Sequence, residues 1–426
     1  MKQAQRPAGA AASAVPLQPE ERGGTFASLR IYSSLRWMWT GTLCTNTAFM
    51  MSQVAVGWLA LELTGSALWV GLSAFAMGIP LFFLALPAGA IIDRADRRTV
   101  LLLAQLGVLI FAGLFALLIL SGLINRWLIL PIGVGYGCSM SFVFPTRQTM
   151  IGQLVERKDL VNAVALNAAG QNATRIVGPA LAGVLIAVVG LGGTFAFAAA
   201  LQIIAMYTTL RLPSLKVAQG LMRGPLFSSF GEGLSYVRRD PVLLGTLLMA
   251  TVCTIFLMPY TTLMPVFATE ELGLGATGLG LIMAGIGLGS VAGTLLVAGW
   301  RGLATMRGIQ VIGIGGFALT VLIFAYTSYV LPAALLLFVS GVLSALFLAT
   351  NQTVLQVRAD ESIRGRVMGV NMLTWGLLPV GQLPLGALAD AIGAPAATAV
   401  ASIIGLLLIA VIALRFAPLR GSVLLD

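Results

Sequence analysis

Runs of about 20 uncharged, mostly apolar residues recur along this chain with little between them, and a run of that length crosses the hydrocarbon core of a bilayer as a helix. Twelve such stretches can be read, near 37–61, 66–92, 99–121, 127–149, 163–187, 190–210, 241–268, 275–299, 308–327, 330–350, 367–390 and 395–415. Backbone groups in lipid must find their hydrogen bonds inside the segment, so unbroken runs of this length read as helices. The expected fold is an all-α integral membrane protein with 12 transmembrane helices. Only 9% of the residues are charged and 58% are hydrophobic, whereas soluble domains are about a quarter charged.

The few charges set the expected topology. Lysine and arginine collect on cytoplasmic loops. With the amino terminus inside, 23 of the 25 Lys and Arg fall in cytoplasmic segments, leaving Arg126 outside and Arg175 within a span. Both termini are then cytoplasmic. The expected organisation is a cytoplasmic tail at 1–36, a first bundle at 37–210, a cytoplasmic linker at 211–240, a second bundle at 241–415 and a short cytoplasmic end at 416–426. Pro213 and Pro225 argue against a long helix in the linker. The high pI of about 10.2 belongs to this topology and not to nucleic acid, because the basic residues form no single stripe.

Other chemistries lack their residues. There is no histidine, and Cys44, Cys138 and Cys253 lie far apart inside apolar runs, which gives neither a metal site nor a disulfide framework. No G-x-x-x-x-G-K-[ST] loop is present, and "GLGSVA" lies inside a membrane-length run, so no nucleotide and no cofactor is expected. A polytopic membrane enzyme would need convergent acids or histidines in the bilayer. No acid falls at mid-membrane: Glu62 and Asp390 sit near outer ends and Glu270 and Glu271 in an outer loop.

The chain repeats itself at an offset of 204 residues. "PTRQTM" (145–150) falls on "ATNQTV" (349–354), Asn167 on Asn371, Gly89 on Gly293 and Arg97 on Arg301. Two six-helix repeats follow, the parallel arrangement known for one large class of secondary transporters.

The loop after the second run reads "GAIIDRADRR", with Gly89, Asp93, Arg94, Arg97 and Arg98 in the spacing G-x-x-x-D-R-x-x-R-R. Gly89 would allow close approach of a neighbouring helix. This spacing resembles the signature loop of the major facilitator superfamily, and the resemblance covers nearly the whole chain. It implies that Asp93 holds the two halves closed on the inside near the start of helix 11, where Arg364 and Arg366 are available, and that the arginines join a charge relay. The second half has Val297 at the aligned position.

The fifth run contains "RIVGPALAG", whose Gly178, Pro179 and Gly183 resemble the G-P-x-x-G-G element of exporting antiporters, with Ala182 in place of one glycine. Together with "PTRQTMIGQLVERKDLVNAVALN", it is similar to the bacterial exporter branch that carries siderophores, drugs and macrolides. The resemblance implies proton antiport, a monomer, the bacterial inner membrane with its lipid, and a small amphipathic or anionic substrate. The arginine that this family often carries early in helix 4 is missing, Pro131 standing there.

Arg175 stands out as a cation inside an apolar run, and such residues usually face a pathway. Gln171 and Asn167 lie one and two turns before it on one face. Asn46 and Gln53 in the first run, Asn371, Trp375 and Gln382 in the eleventh, and Tyr136 and Tyr260 are further candidates to line a cavity. Gly285, Gly289 and Gly293 form a small-residue packing face in the eighth run. An importer of small organic anions stays open beside the exporter, since Arg175 suits both.

Overall fold

The computed structural model describes residues 27–214, 226–298, 303–361 and 363–416. The tail 1–26, linker residues 215–225 with Lys216 and Arg223, Arg301, and residues 417–426 lie outside the described residues. The regular secondary structure of the described residues is helical, without strands.

A short helix α1 (Ala27–Ile31) leads into α2 (Ser33–Thr64), α3 (Ala67–Ile92), α4 (Arg97–Leu120), α5 (Arg126–Leu154) and α6 (Leu160–Leu210). After the linker come α7 (Leu226–Arg239), α8 (Pro241–Val252), α9 (Ala276–Ala298), α10 (Leu303–Ala325), α11 (Val330–Arg358), α12 (Arg364–Trp375), α13 (Leu378–Ile392) and α14 (Ala394–Arg415). Ten segments are long and apolar enough to cross a membrane. One of them is the 51-residue α6, whose helical path breaks at Gly190 with φ 72, a left-handed conformation open to glycine. The 32-residue α2 is not among the ten.

Local chemistry explains several ends. Asp96 accepts from Thr99 N at 3.3 Å and so caps α4, and Asn125 caps α5 through Trp127 N and Leu128 N. Asp240 caps α8 through Val242 N at 2.8 Å, with Pro241 at the first helical position, where its missing N–H costs nothing. Beyond Val252 the helix loosens into π-helical and 3-10 turns as far as Glu271, around Pro259 and Pro265, because proline withdraws a donor and crowds the preceding turn.

The sequence leads one to expect no long helix in the linker, and the structure adds a short one. α7 starts directly after Pro225 and lies on the loop between α11 and α12. Tyr236 donates to Asp360 at 2.9 Å, Arg358 donates to Asp240 at 2.8 Å, and Glu232 pairs with Arg366. Beneath them Val237, Leu243, Leu355, Val367 and Val370 form a small apolar core. Helix α9 packs on α11 along Gly289 and Gly293, where a Cβ would lie 3.0 Å from Val342 N and from Ala345 Cβ respectively. That is the small-residue face expected for the eighth run.

Candidate functional site: the seam between two helix sets

Helices α2 to α6 and α8 to α14 meet along two seams, α3 against α13 with its predecessor α12, and α6 against α9. Glycines map how close each seam is. A Cβ on Gly71 of α3 would lie 2.7 Å from the Gln382 carbonyl and 2.9 Å from Gly386 Cα of α13. One on Gly78 would meet Pro379, and one on Gly376 would lie 3.0 Å from Phe82. Farther along the same helices the contact ends: Gly89, Gly365 and Gly369 have nothing within 4 Å of a Cβ. The second seam behaves alike. Gly183 of α6 would meet Gly280 Cα of α9 at 2.8 Å, and Gly287 would meet the Arg175 carbonyl at 3.0 Å. Only glycine lets backbones approach this closely. The molecule is therefore shut at the end carrying Asp390 and parted at the end carrying Asp93.

Arg175 stands where the second seam parts. One helical face of α6 runs through Arg175 at seven-residue and four-residue steps. Toward the shut end that face continues as Pro179, Ala182 and Ile186, all buried. Toward the parted end it continues as Ala168, Val164 and Val161, all exposed. Arg175 itself is exposed and has no hydrogen-bond or ion-pair partner among the described residues. Gln171 is half-buried and Asn167 buried, so the polar stripe turns from the α2 side onto the open face. Gly178 lies against Met50 of α2 and Gly183 against α9, so the Gly–Pro element packs α6 on both sides.

The other candidates divide. Gln53 is exposed, Trp375 half-buried, and Asn46 buried. Asn371 is buried and accepts from Asn351 at 3.4 Å, which in turn accepts from Gln310 at 3.0 Å. Gln382 donates to Thr262 at 2.9 Å. Tyr136 and Tyr260 offer no accessible surface: at 0% and 2% exposure their hydroxyls meet Ser52 and Ser340.

The signature loop is tied to its own helix set in this conformation. Arg97 donates to the Thr149 carbonyl at 3.2 Å and Arg98 to the Leu210 carbonyl at 2.7 Å, both near helix carboxyl ends where cations are favoured. Arg94 is exposed, and Asp93 has no side-chain partner among the described residues. Arg366 is held by Glu232 instead. The close approach expected at Gly89 is absent, since the seam has parted there.

One expectation needs correcting. Arg175 is not the only arginine within a membrane-length helix: α5 runs to Leu154, which places Arg147 two turns inside it, about 10 Å from its end at 1.5 Å per residue. Arg147 is 5% exposed and donates to Thr42 at 2.8 Å and Thr45 at 2.9 Å on α2, while its Nε is buried without a partner. The run at 127–149 already contains Arg147, but the charge count places it with the basic residues of the loop that follows. The available signal was the repeat, which sets Arg147 opposite the buried Asn351.

A family model described as transmembrane secretion effector matches residues 23–422. The chain belongs to this family of major facilitator transporters. It is 30% identical over 386 residues to the multidrug efflux pump Tap of Mycolicibacterium fortuitum, covering 86% of this chain and 91% of the relative. It is 27% identical over 396 residues to the enterobactin exporter EntS of Shigella flexneri (91% and 92% covered) and 24% identical over 364 residues to the staphyloferrin A transporter of Staphylococcus aureus (80% and 86%). Among solved structures, a bacterial homologue of the lysosomal transporter Spinster, inward-facing and unoccupied, superposes with a TM-score of 0.70 at 15% identity, covering 94% of this chain and 98% of that one. A POT family transporter gives 0.72 at 10% identity, with 92% and 97% covered. The family transports and does not catalyse, and its named relatives here are efflux and siderophore transporters.

Proposed function

We propose that this chain exports a small amphipathic or anionic molecule, a siderophore or a drug, by alternating access between two six-helix halves. Twelve passes would put both termini on one side, and the excess of Lys and Arg in the loops of that side makes it the cytoplasm of a bacterial cell, so on this reading the parted end faces inward and the shut end outward. The halves run over 37–210 and 241–415, joined by the linker at 211–240. The protein acts as a monomer in the lipid of the inner membrane, and proton antiport drives it.

The observation that carries the reading is the position of Arg175. A free cation sits on the seam face at the depth where the halves separate, in a chain whose described carboxylates all lie outside the middles of the membrane-length helices. A site of that sign favours substrates with carboxylate, catecholate or phosphate character. The named relatives carry siderophores or drugs, and the Gly–Pro element of α6 favours export. An importer of small anions would use the same cation but has no relative among those named as an importer.

The test compares small molecules in cells and medium with the gene intact, deleted, and restored as wild type or Arg175→Ala. The proposal expects a compound retained in the deletion strain that reappears outside with the wild type only. Slower depletion of a medium component by the deletion strain would replace export with import.

A further inference from the structure

Helix α3 begins with an oddity. Its N-cap residue is Ser66, in the extended conformation usual for a cap, yet the Ser66 hydroxyl does not accept from its own helix. A serine there ordinarily takes a hydrogen bond from the second or third helical N–H. Here Ser66 Oγ donates outward, at 2.7 Å, to Asp390 Oδ1 in the last turn of α13. The same carboxylate oxygen also accepts from Leu68 N at 3.5 Å. The cap of α3 is thus supplied by the other half of the protein, and the amino end of a helix is where a carboxylate is favoured. Behind this contact lies the Gly71–Gly386 crossing, four or five residues along each helix.

Helices α3 and α13 run antiparallel, so their other ends present the same elements in reverse. α3 finishes at Asp93, and α12, which leads into α13, starts at Arg364. α3 and α13 therefore each carry an aspartate at the carboxyl end, and α12 begins at the end of the molecule where Asp93 lies. In this conformation the Asp390 end is engaged and the Asp93 end is empty-handed.

We infer that Asp390 is a gating residue of the transporter: its carboxylate, capping α3 across the seam through Ser66 and Leu68, holds the molecule shut at that end and must release for it to open there. The contact sits about one turn beyond the Gly71–Gly386 crossing, so parting the helices there would separate Ser66 from Asp390, and breaking the contact favours opening without altering either helix set. The latch rests on the two-half alternation proposed above but on neither its direction nor its substrate.

The experiment measures the distance between spin labels on exposed loop positions at the shut end, Leu123→Cys and Tyr329→Cys, in the full chain with Cys44, Cys138 and Cys253 replaced and the protein in lipid nanodiscs. The wild type should show a major short-distance population and a minor long one. Asp390→Asn and Ser66→Ala should each raise the long-to-short ratio about fivefold, close to 1 kcal/mol at 1.4 kcal/mol per tenfold. The double variant should add little to either single change, the mark of one shared interaction. Asp390→Glu should restore most of the short population, which a lost structural role would not. If the wild type shows both populations and Asp390→Asn leaves their ratio unchanged, the latch is overturned while alternation survives. A single short distance under all conditions, with substrate extracts included, would overturn both.

Discussion

The two ends of the α3 and α13 seam are built from the same materials and do different things. At one end Gly71 and Gly386 bring backbones together and Asp390 caps α3; at the other, Gly89 and Gly369 have open space and Asp93 has no side-chain partner among the described residues. Both ends offer a glycine on each helix and an aspartate at a helix terminus. What differs in this structure is which end is closed. Packed helices have discrete contact states, and a seam tight at one end and open at the other fits the alternation proposed above.

The comparison breaks most sharply with a methyl group. Gly71→Ala or Gly386→Ala puts a Cβ against backbone that cannot yield, and overpacking of that kind costs about 1–3 kcal/mol, so the shut state should lose about tenfold or more in population. Gly369→Ala, on the same seam, should leave the spin-label distances at the shut end unchanged. Equal effects at both ends would mean that glycine spacing and not the state of the seam explains the contacts.

Arg175→Ala should come next, cutting efflux of the retained compound about tenfold with normal insertion, since one lost charge-assisted contact is worth about 1.5–3 kcal/mol. Arg175→Lys keeps the charge and should keep part of the activity.

Arg147 gives a sign test between the two helix sets. It is a buried cation with two hydroxyl partners, no carboxylate and an unsatisfied Nε, while its repeat counterpart Asn351 is neutral and bonded to Gln310 and Asn371. Burying a charge without an opposite one costs more than its hydrogen bonds return. Arg147→Met should therefore keep or raise the thermal midpoint in detergent while lowering efflux several-fold, whereas Asn351→Ala should lower the midpoint by an amount equivalent to about 1 kcal/mol. A large fall in the midpoint for Arg147→Met would make the arginine a structural tether.

The smallest effect should be at the linker. Glu232 and Arg366 are both substantially exposed, and exposed pairs contribute about 0–1 kcal/mol. Glu232→Gln should change efflux by less than about twofold.

Much of this was readable in advance, and the reasons for the gaps are physical. Membrane-length helices announce themselves because lipid tolerates few polar residues, and the Gly190 break falls between the fifth and sixth runs as expected. Helix ends were harder. α5 extends to Leu154 and α11 to Arg358, beyond the boundaries at 149 and 350, because an apolar criterion stops at the first cluster of polar residues while the helix does not. Arg147 lies inside the run at 127–149 but sits in the polar cluster at its end, and so it counts with the loop that follows. Arg175 was visible because it lies four residues before Pro179 in an apolar run. The Ser66–Asp390 contact was not visible: the two residues are 324 positions apart, and each looks like an ordinary helix end.

On the proposed alternation, the seam face of α6 is open to water on one side of Arg175 and shut on the other. Two cysteines on that face, Ala168→Cys and Ala182→Cys, placed singly in the cysteine-free chain, test it in sealed vesicles of both orientations with a membrane-impermeant thiol reagent. Ala168→Cys should react from the cytoplasmic side at rest and Ala182→Cys from neither side, the latter becoming reactive from outside during turnover. Equal reactivity at the two positions, or reaction of Ala168→Cys with a lipid-soluble reagent alone, would contradict it.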